Sequence, residues 1–227
     1  MTQGFEITPR KRPTQARAQA TFDALVEACA RLLPELGYER LTTNAVSERA
    51  GVGIGSLYEY FPGKDAIIAL VVERLVERVM TRLGHELETI LAARTDDAVE
   101  RWIARIYATI ETERALMTVL VQQVPYLRQL DAVRDLPSTL LAFSERARDA
   151  AGVELRQPSA ALLLINNLVS TTILQVVLGA GEGEGEGGTR DMLAAAHGVS
   201  KAELIELLSA HVSELIAAGA PTPRGPA

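Results

Sequence analysis

The hydrogen-bond donors Thr42, Thr43, Ser56, Tyr58, Tyr60 and Lys64 fall within one short stretch, interleaved with Gly51, Gly53 and Gly55 in the run GVGIGSLYEYFPGK (51–64). Hydroxyls and an ammonium suit donation to phosphate oxygens, which fixes a protein's register on a duplex without reading its sequence. Gly51 and Gly53 permit a tight turn through positive or unusual φ. Gly55 and Ser56 are small enough to let the start of a helix approach a duplex backbone. Val46, Ala50, Val52, Leu57 and Phe61 are placed to lock the opposite side into a core. Ile54 suits contact with a thymine methyl, while Glu59 either repels phosphate or accepts from a cytosine amino group. The competing reading makes the Tyr-x-Tyr-Phe cluster plain core, as aromatic residues at helical spacing commonly are.

The elements that must hold these groups are helical. Phe22, Leu25, Val26, Cys29, Leu32, Leu33 and Leu36 repeat at three and four residues, an amphipathic stripe that Gly37 ends. A short helix from about Thr43 to Ala50, capped by Thr42 or Thr43, precedes Gly51; a second covers about Ile54–Tyr60. Two short helices around a glycine turn describe a helix-turn-helix. Pro62 and Gly63 break the second, and Lys64 opens a long helix carrying Ile68, Val71, Leu75, Val79, Leu83, Leu87 and Ile90. A break with Asp96 or Asp97 as cap leads to a helix carrying Val99, Ile103, Ile106 and Ile110. Pro125 and Pro137 punctuate further helical pieces, and an uncharged helix covers about residues 159–178. Residues 179–189 (GAGEGEGEGGT) are low-complexity and read as a mobile loop. Ser200 and Glu203 form a capping box for a last helix with Leu204, Leu208, Val212 and Leu215. No stretch alternates as a strand would. The expected fold is all-α, about nine helices: a three-helix N-terminal helix-turn-helix domain with its basic arm (1–62), then a connecting helix and helical bundle (63–227).

Charge is distributed unevenly. Residues 1–64 carry eight Lys/Arg against seven Asp/Glu, a net +1, and the remainder fifteen against twenty-two, a net −7 within the total of −6. Arg10, Lys11, Arg12 and Arg17 form an acid-free basic arm, so a basic-tipped head on an acidic body can still meet phosphate. The lone Cys29 sits in the apolar stripe as a small buried hydrophobe, which excludes an internal disulfide and fits a reducing cytoplasm. The N-terminus has no apolar signal core. Residues 157–181 are uncharged and long enough to span a bilayer. Asn167, Thr171 and Gln175, however, form one polar stripe that suits burial between helices or a pocket wall better than lipid. His85, His197 and His211 lack metal spacing, and neither a nucleophile elbow nor a phosphate-cradling loop is present. No catalytic residue, metal or cofactor is expected.

The run TTNAVSERAGVGIGSLYEYFPGKDAI resembles the DNA-binding signature of the TetR family of transcriptional regulators: an Ala-Gly-Val turn, Gly-Ser-Leu-Tyr, then Tyr-Phe-Pro-x-Lys, within about Thr14–Val72. The resemblance implies an all-helical homodimer that binds a palindromic duplex operator. It places Thr42 and Thr43 on phosphate, Ile54, Gly55, Ser56 and Tyr58 on the recognition helix, and Tyr60 and Lys64 on flanking backbone contacts. Ile54 stands where many members carry a polar or basic residue, which leaves direct readout to need the basic arm. The resemblance also implies that the last two helices pair with their copies and that a pocket lies among residues 96–178, where the scarcity of charges among the candidates suits a small apolar or neutral effector. Candidate pocket residues are Trp102, Tyr107, Gln122, Gln123, Tyr126, Asn166, Asn167 and Thr171. Two other classes remain open: a helical small-molecule-binding protein or enzyme with a vestigial DNA-binding head, and a membrane-associated helical protein.

Overall fold

The computed structural model describes residues 5–155, 157–179 and 200–219, and among them it contains ten α-helices, one 3-10 turn and no strand. They are α1 (Ala16–Arg40), α2 (Thr43–Ala50), α3 (Ile54–Tyr60), α4 (Lys64–Ala93), α5 (Ala98–Thr112), α6 (Arg114–Gln123), α7 (Asp131–Arg134), α8 (Leu136–Ala151), α9 (Pro158–Leu178) and α10 (Lys201–Gly219). Nearly all of the Gly179–Thr189 loop expected from composition lies outside the described residues. The described residues divide into two compact units: those up to Arg78 with Ala115–Asp135, and Val79–Arg114 with those from Leu136 onward. The first extends past residue 62 and takes in 115–135, a segment the sequence reading left with the body.

In the first unit α1 buries Phe22, Leu25, Val26, Cys29, Leu32 and Leu33, the stripe its sequence predicts. Gly37 does end the regular helix, with φ +74°. A Cβ there would lie 2.7 Å from Gln123 Oε1, which accepts from Tyr38 N at 2.9 Å. A polar hub lies alongside. The hydroxyls of Tyr38 and Tyr126 both donate to Asp65 Oδ1 at 3.0 Å, while Tyr126 is fully buried. Burial first, and the bond to Asp65 second, pushes the Tyr38 phenol up to about 12. Tyr126 is raised by burial and by the Asp65 charge. Unfolded phenols lose their protons near pH 10, whereas these hold theirs. Their contribution is therefore intact below about pH 10; that of Tyr38 is lost as pH rises toward 12, and that of Tyr126 declines over the same range and beyond it. Circular dichroism across an alkaline titration should show stability falling from about pH 10, and Tyr38→Phe should flatten that fall.

The second unit is a helical bundle. Ile103 and Tyr107 of α5, Val169, Ile173 and Val177 of α9, and Ile205, Leu208 and Val212 of α10 form its core. α9 buries Leu162, Val169, Ile173 and Val177, which recur at helical spacing on one face, and it packs against α5, α8 and α10. By length and composition α9 is the one described helix able to cross a membrane. The reciprocal capping box is present at α10: Ser200 N donates to Glu203 Oε2 at 2.7 Å and Glu203 N to Ser200 Oγ at 3.2 Å. Hydrogen bonding from the Ser200 backbone N–H first, and from its side chain second, holds the Glu203 carboxyl below its ordinary range.

Candidate nucleic-acid interface

The helix-turn-helix is built locally. Thr42 is the N-cap of α2, its Oγ1 accepting from Ala45 N at 3.2 Å. Gly51 ends α2 in the left-handed region, φ 65°, where a Cβ would meet nothing within 4 Å; the position needs glycine for its φ and not for space. Ser47, which the sequence reading passed over, closes the turn. Its carbonyl accepts from Val52 N at 3.0 Å and its hydroxyl donates to the Val52 carbonyl. α3 then buries Leu57 and Tyr60 against α1: Phe61, fully buried at its end, stacks on Phe22 at 4.8 Å, and Tyr60 meets Phe22 edge-on at 5.6 Å. Replacing Thr42 by alanine removes the α2 cap, at a cost of about 1 kcal/mol. Thermal unfolding should record this as a drop of about 2–4 °C, and Thr42→Ser should recover most of it.

The solvent face of α3 carries Ile54 (39% exposed), Gly55 and Tyr58 (42% exposed), with Ser56 half-buried. The Thr43 and Tyr58 hydroxyls share a hydrogen bond of 3.0 Å, which ties α2 to α3 on that face. These residues, with exposed Thr42, form one contiguous set from the two short helices. Two expected contacts stand elsewhere. Tyr60 is only 8% exposed because it follows Leu57 by three residues and so shares its buried face. Lys64 donates to the Tyr38 carbonyl at 2.6 Å and lies 4.2 Å over the Tyr38 ring.

The basic arm runs along the end of α3. Arg10 N donates to the Tyr60 carbonyl at 2.7 Å, and Arg10 Nη1 to the Tyr58 carbonyl at 3.0 Å. Cations at a helix C-terminus satisfy its last carbonyls and complement its dipole. Lys11 pairs with Glu59 at 3.2 Å, and Arg12 with Glu73 at 3.0 Å. Glu59, the acid that would repel phosphate, is thus neutralised from within the chain. Phe5 packs on Tyr126 at 4.7 Å, anchoring the arm's start.

Within the second unit, a cavity of about 190 Å³ is lined by residues of α4, α5, α8, α9 and α10, among them Trp102 and Asn166. The other expected pocket residues lie apart from it. Tyr107 belongs to the apolar core with Lys201 4.4 Å over its ring. Gln123 and Tyr126 serve the hub of the first unit, Gln122 is exposed on α6, and Asn167 and Thr171 are exposed on α9. Among the described residues no cluster of three His, Cys, Asp or Glu is arranged to hold a metal ion.

Residues 25–71 match the family model described as bacterial regulatory proteins, tetR family. The HTH-type transcriptional repressor KstR of Rhodococcus jostii is 38% identical over 58 residues, which are 26% of this chain and 27% of that protein. The A-factor receptor protein of Streptomyces griseus is 35% identical over 65 residues, 29% of this chain and 24% of that one. The chain thus matches only about a quarter of the length of these two relatives. A solved structure of a transcriptional regulator placed in the TetR family, from Mesorhizobium loti, aligns with a TM-score of 0.68 at 15% identity, covering 90% of this chain and 98% of that one. At that identity the likeness is one of fold. Residues 25–71 are thus similar in sequence to the N-terminal segment of the TetR family, and the fold is similar to that of a regulator placed in that family.

Proposed function

We propose that the chain is a ligand-responsive transcriptional regulator, a repressor, that binds a palindromic duplex operator as a homodimer in the cytoplasm and is released by a small apolar or neutral effector. The observation that carries the reading is the exposed face of α3, where Ile54, Gly55 and Tyr58 stand out from a closed apolar head. A Cβ at Gly55 would meet nothing within 4 Å, so packing does not demand glycine there, whereas close approach to a phosphate backbone does. The Thr43 and Tyr58 hydroxyls are donors suited to phosphate, and Ile54 is suited to a thymine methyl. KstR, by its name a repressor, supports repression as the sign of regulation.

Dimerisation is supported by α9 and α10. Leu163 and Leu164 are more than half exposed on α9, as is Leu207 on α10, and apolar side chains left uncovered on neighbouring helices suit a symmetric partner. The mainly apolar cavity supports the effector. An effector with different affinity for two body conformations shifts their populations, and a coupling of about 1–3 kcal/mol changes operator affinity about 5–150-fold. No catalysis, cofactor or membrane insertion is part of this reading.

Selection of bound sequences from a random duplex pool by the purified protein tests it. A palindrome with half-sites about one helical turn apart, ~34–36 Å, is the expected result. No enrichment from a folded dimer would favour a ligand-binding protein with a vestigial head.

A further inference from the structure

We propose that the cavity of the second unit binds a neutral, apolar molecule bearing one hydrogen-bond acceptor of the ketone or ester type; this rests on the effector half of the proposed function. Trp102 and Phe143 form one wall, their rings stacked at 5.8 Å with an interplanar angle of 18°. Most other lining residues are aliphatic, among them Ile216. Against that apolar surface the polar lining is short: Ser144, Arg148, Asn166 and the indole N–H of Trp102, with no aspartate or glutamate.

The internal bonds of this polar set decide what it offers a ligand. Ser144 donates its hydroxyl proton to Asn166 Oδ1 at 2.8 Å. The amide oxygen is thereby engaged within the wall, which leaves chiefly the amide N–H groups. The indole and the guanidinium have N–H groups and no acceptor at all. Donors outnumber the acceptors left in this wall, chiefly the Ser144 oxygen whose proton is given to Asn166, so an acceptor on the ligand meets more partners there than a donor does. Arg148 is the one ionised lining residue, and its Nε donates to Asp149 Oδ1 at 2.9 Å. Its charge is already balanced, so a carboxylate entering the cavity would be desolvated without a free counter-ion. A neutral carbonyl meets both conditions.

Trp102 is the only tryptophan of the chain, so intrinsic fluorescence reports on the cavity wall itself. The full-length protein would be titrated with 2-decanone, decanoate and decylammonium. Saturable change with 2-decanone is expected, at least about 10-fold tighter than with decanoate, as loss of one well-made interaction implies, and none with decylammonium. Asn166→Leu should weaken 2-decanone about 10-fold while Asn166→Gln, which keeps the donors, weakens it less. Decanoate binding as tightly as 2-decanone, saturation by decylammonium, or unchanged ketone affinity in folded Asn166→Leu would each overturn the proposal. So would absence of saturation with all three. Duplex binding by the same preparations is read separately. Its loss alone sinks the operator reading, and probe failure beside intact operator binding sinks only the ligand assignment.

Discussion

Phe61→Ala is expected to lower stability by about 3–5 kcal/mol. Phe61 is fully buried at the end of α3, stacked on Phe22 at 4.8 Å and 6.4 Å from the Tyr60 ring. Alanine leaves a cavity at the point where α3 is pinned to α1, with Leu57 and Tyr60 exposed to the same loosening. Differential scanning calorimetry should show the melting temperature falling by about 6–20 °C. Specific duplex binding should disappear with it, because α3 loses its fixed orientation. A melting temperature within about 2 °C of the parent would mean that the aromatic cluster does not hold the head together.

Asp65→Leu should be the most damaging polar change. One carboxylate oxygen accepts from both Tyr38 and Tyr126, and Tyr126 has no exposure to recover a partner from water. Tyr38 loses its acceptor, at about 1–3 kcal/mol, and Tyr126 keeps only its 3.3 Å bond to the backbone carbonyl of residue 65, so the pair costs roughly 1–6 kcal/mol. Tyr126→Phe is the contrasting variant. It removes one donor, keeps the ring, and leaves Asp65 bonded to Tyr38, for a cost of about 0.5–1.5 kcal/mol. Urea unfolding of the two variants separates these cases. If Asp65→Leu is no less stable than Tyr126→Phe, the two phenols do not depend on the carboxylate.

The parts of the chain readable in advance are those whose signals are local. α2 and α3 begin and end where Thr42, Gly51 and the Pro62–Gly63 pair place them, and the Ser200–Glu203 box marks the start of α10 as expected. Each of those signals is a side chain acting on backbone within a few residues. The hub is different: Gln123 meets Tyr38 across 85 positions, and Tyr126 meets Asp65 across 61. No local pattern distinguishes Gln123 and Tyr126 from polar side chains lining a pocket. Tyr60 is a milder case, since its three-residue separation from Leu57 already put it on the buried face. The expectation weighed its hydroxyl over its position. At the cavity, only Trp102 and Asn166 were legible among the expected lining residues. The remaining wall is mostly aliphatic and alanine side chains that read in sequence like any other core.

Cys29 is fully buried, and burial pushes its thiol up to about 12. The thiolate is the nucleophile in alkylation and exchange, so in the native protein the chain's only sulfhydryl is chemically silent. Any cysteine introduced on the surface is therefore the sole labelling site, with no need to delete the native residue and disturb the α1 core. A spin label at exposed Glu48 of α2 would report the separation of two heads in an assembled dimer directly, with and without a bound small molecule. Since the proposed operator sets its half-sites about one helical turn apart, the inert thiol makes the native chain its own ruler.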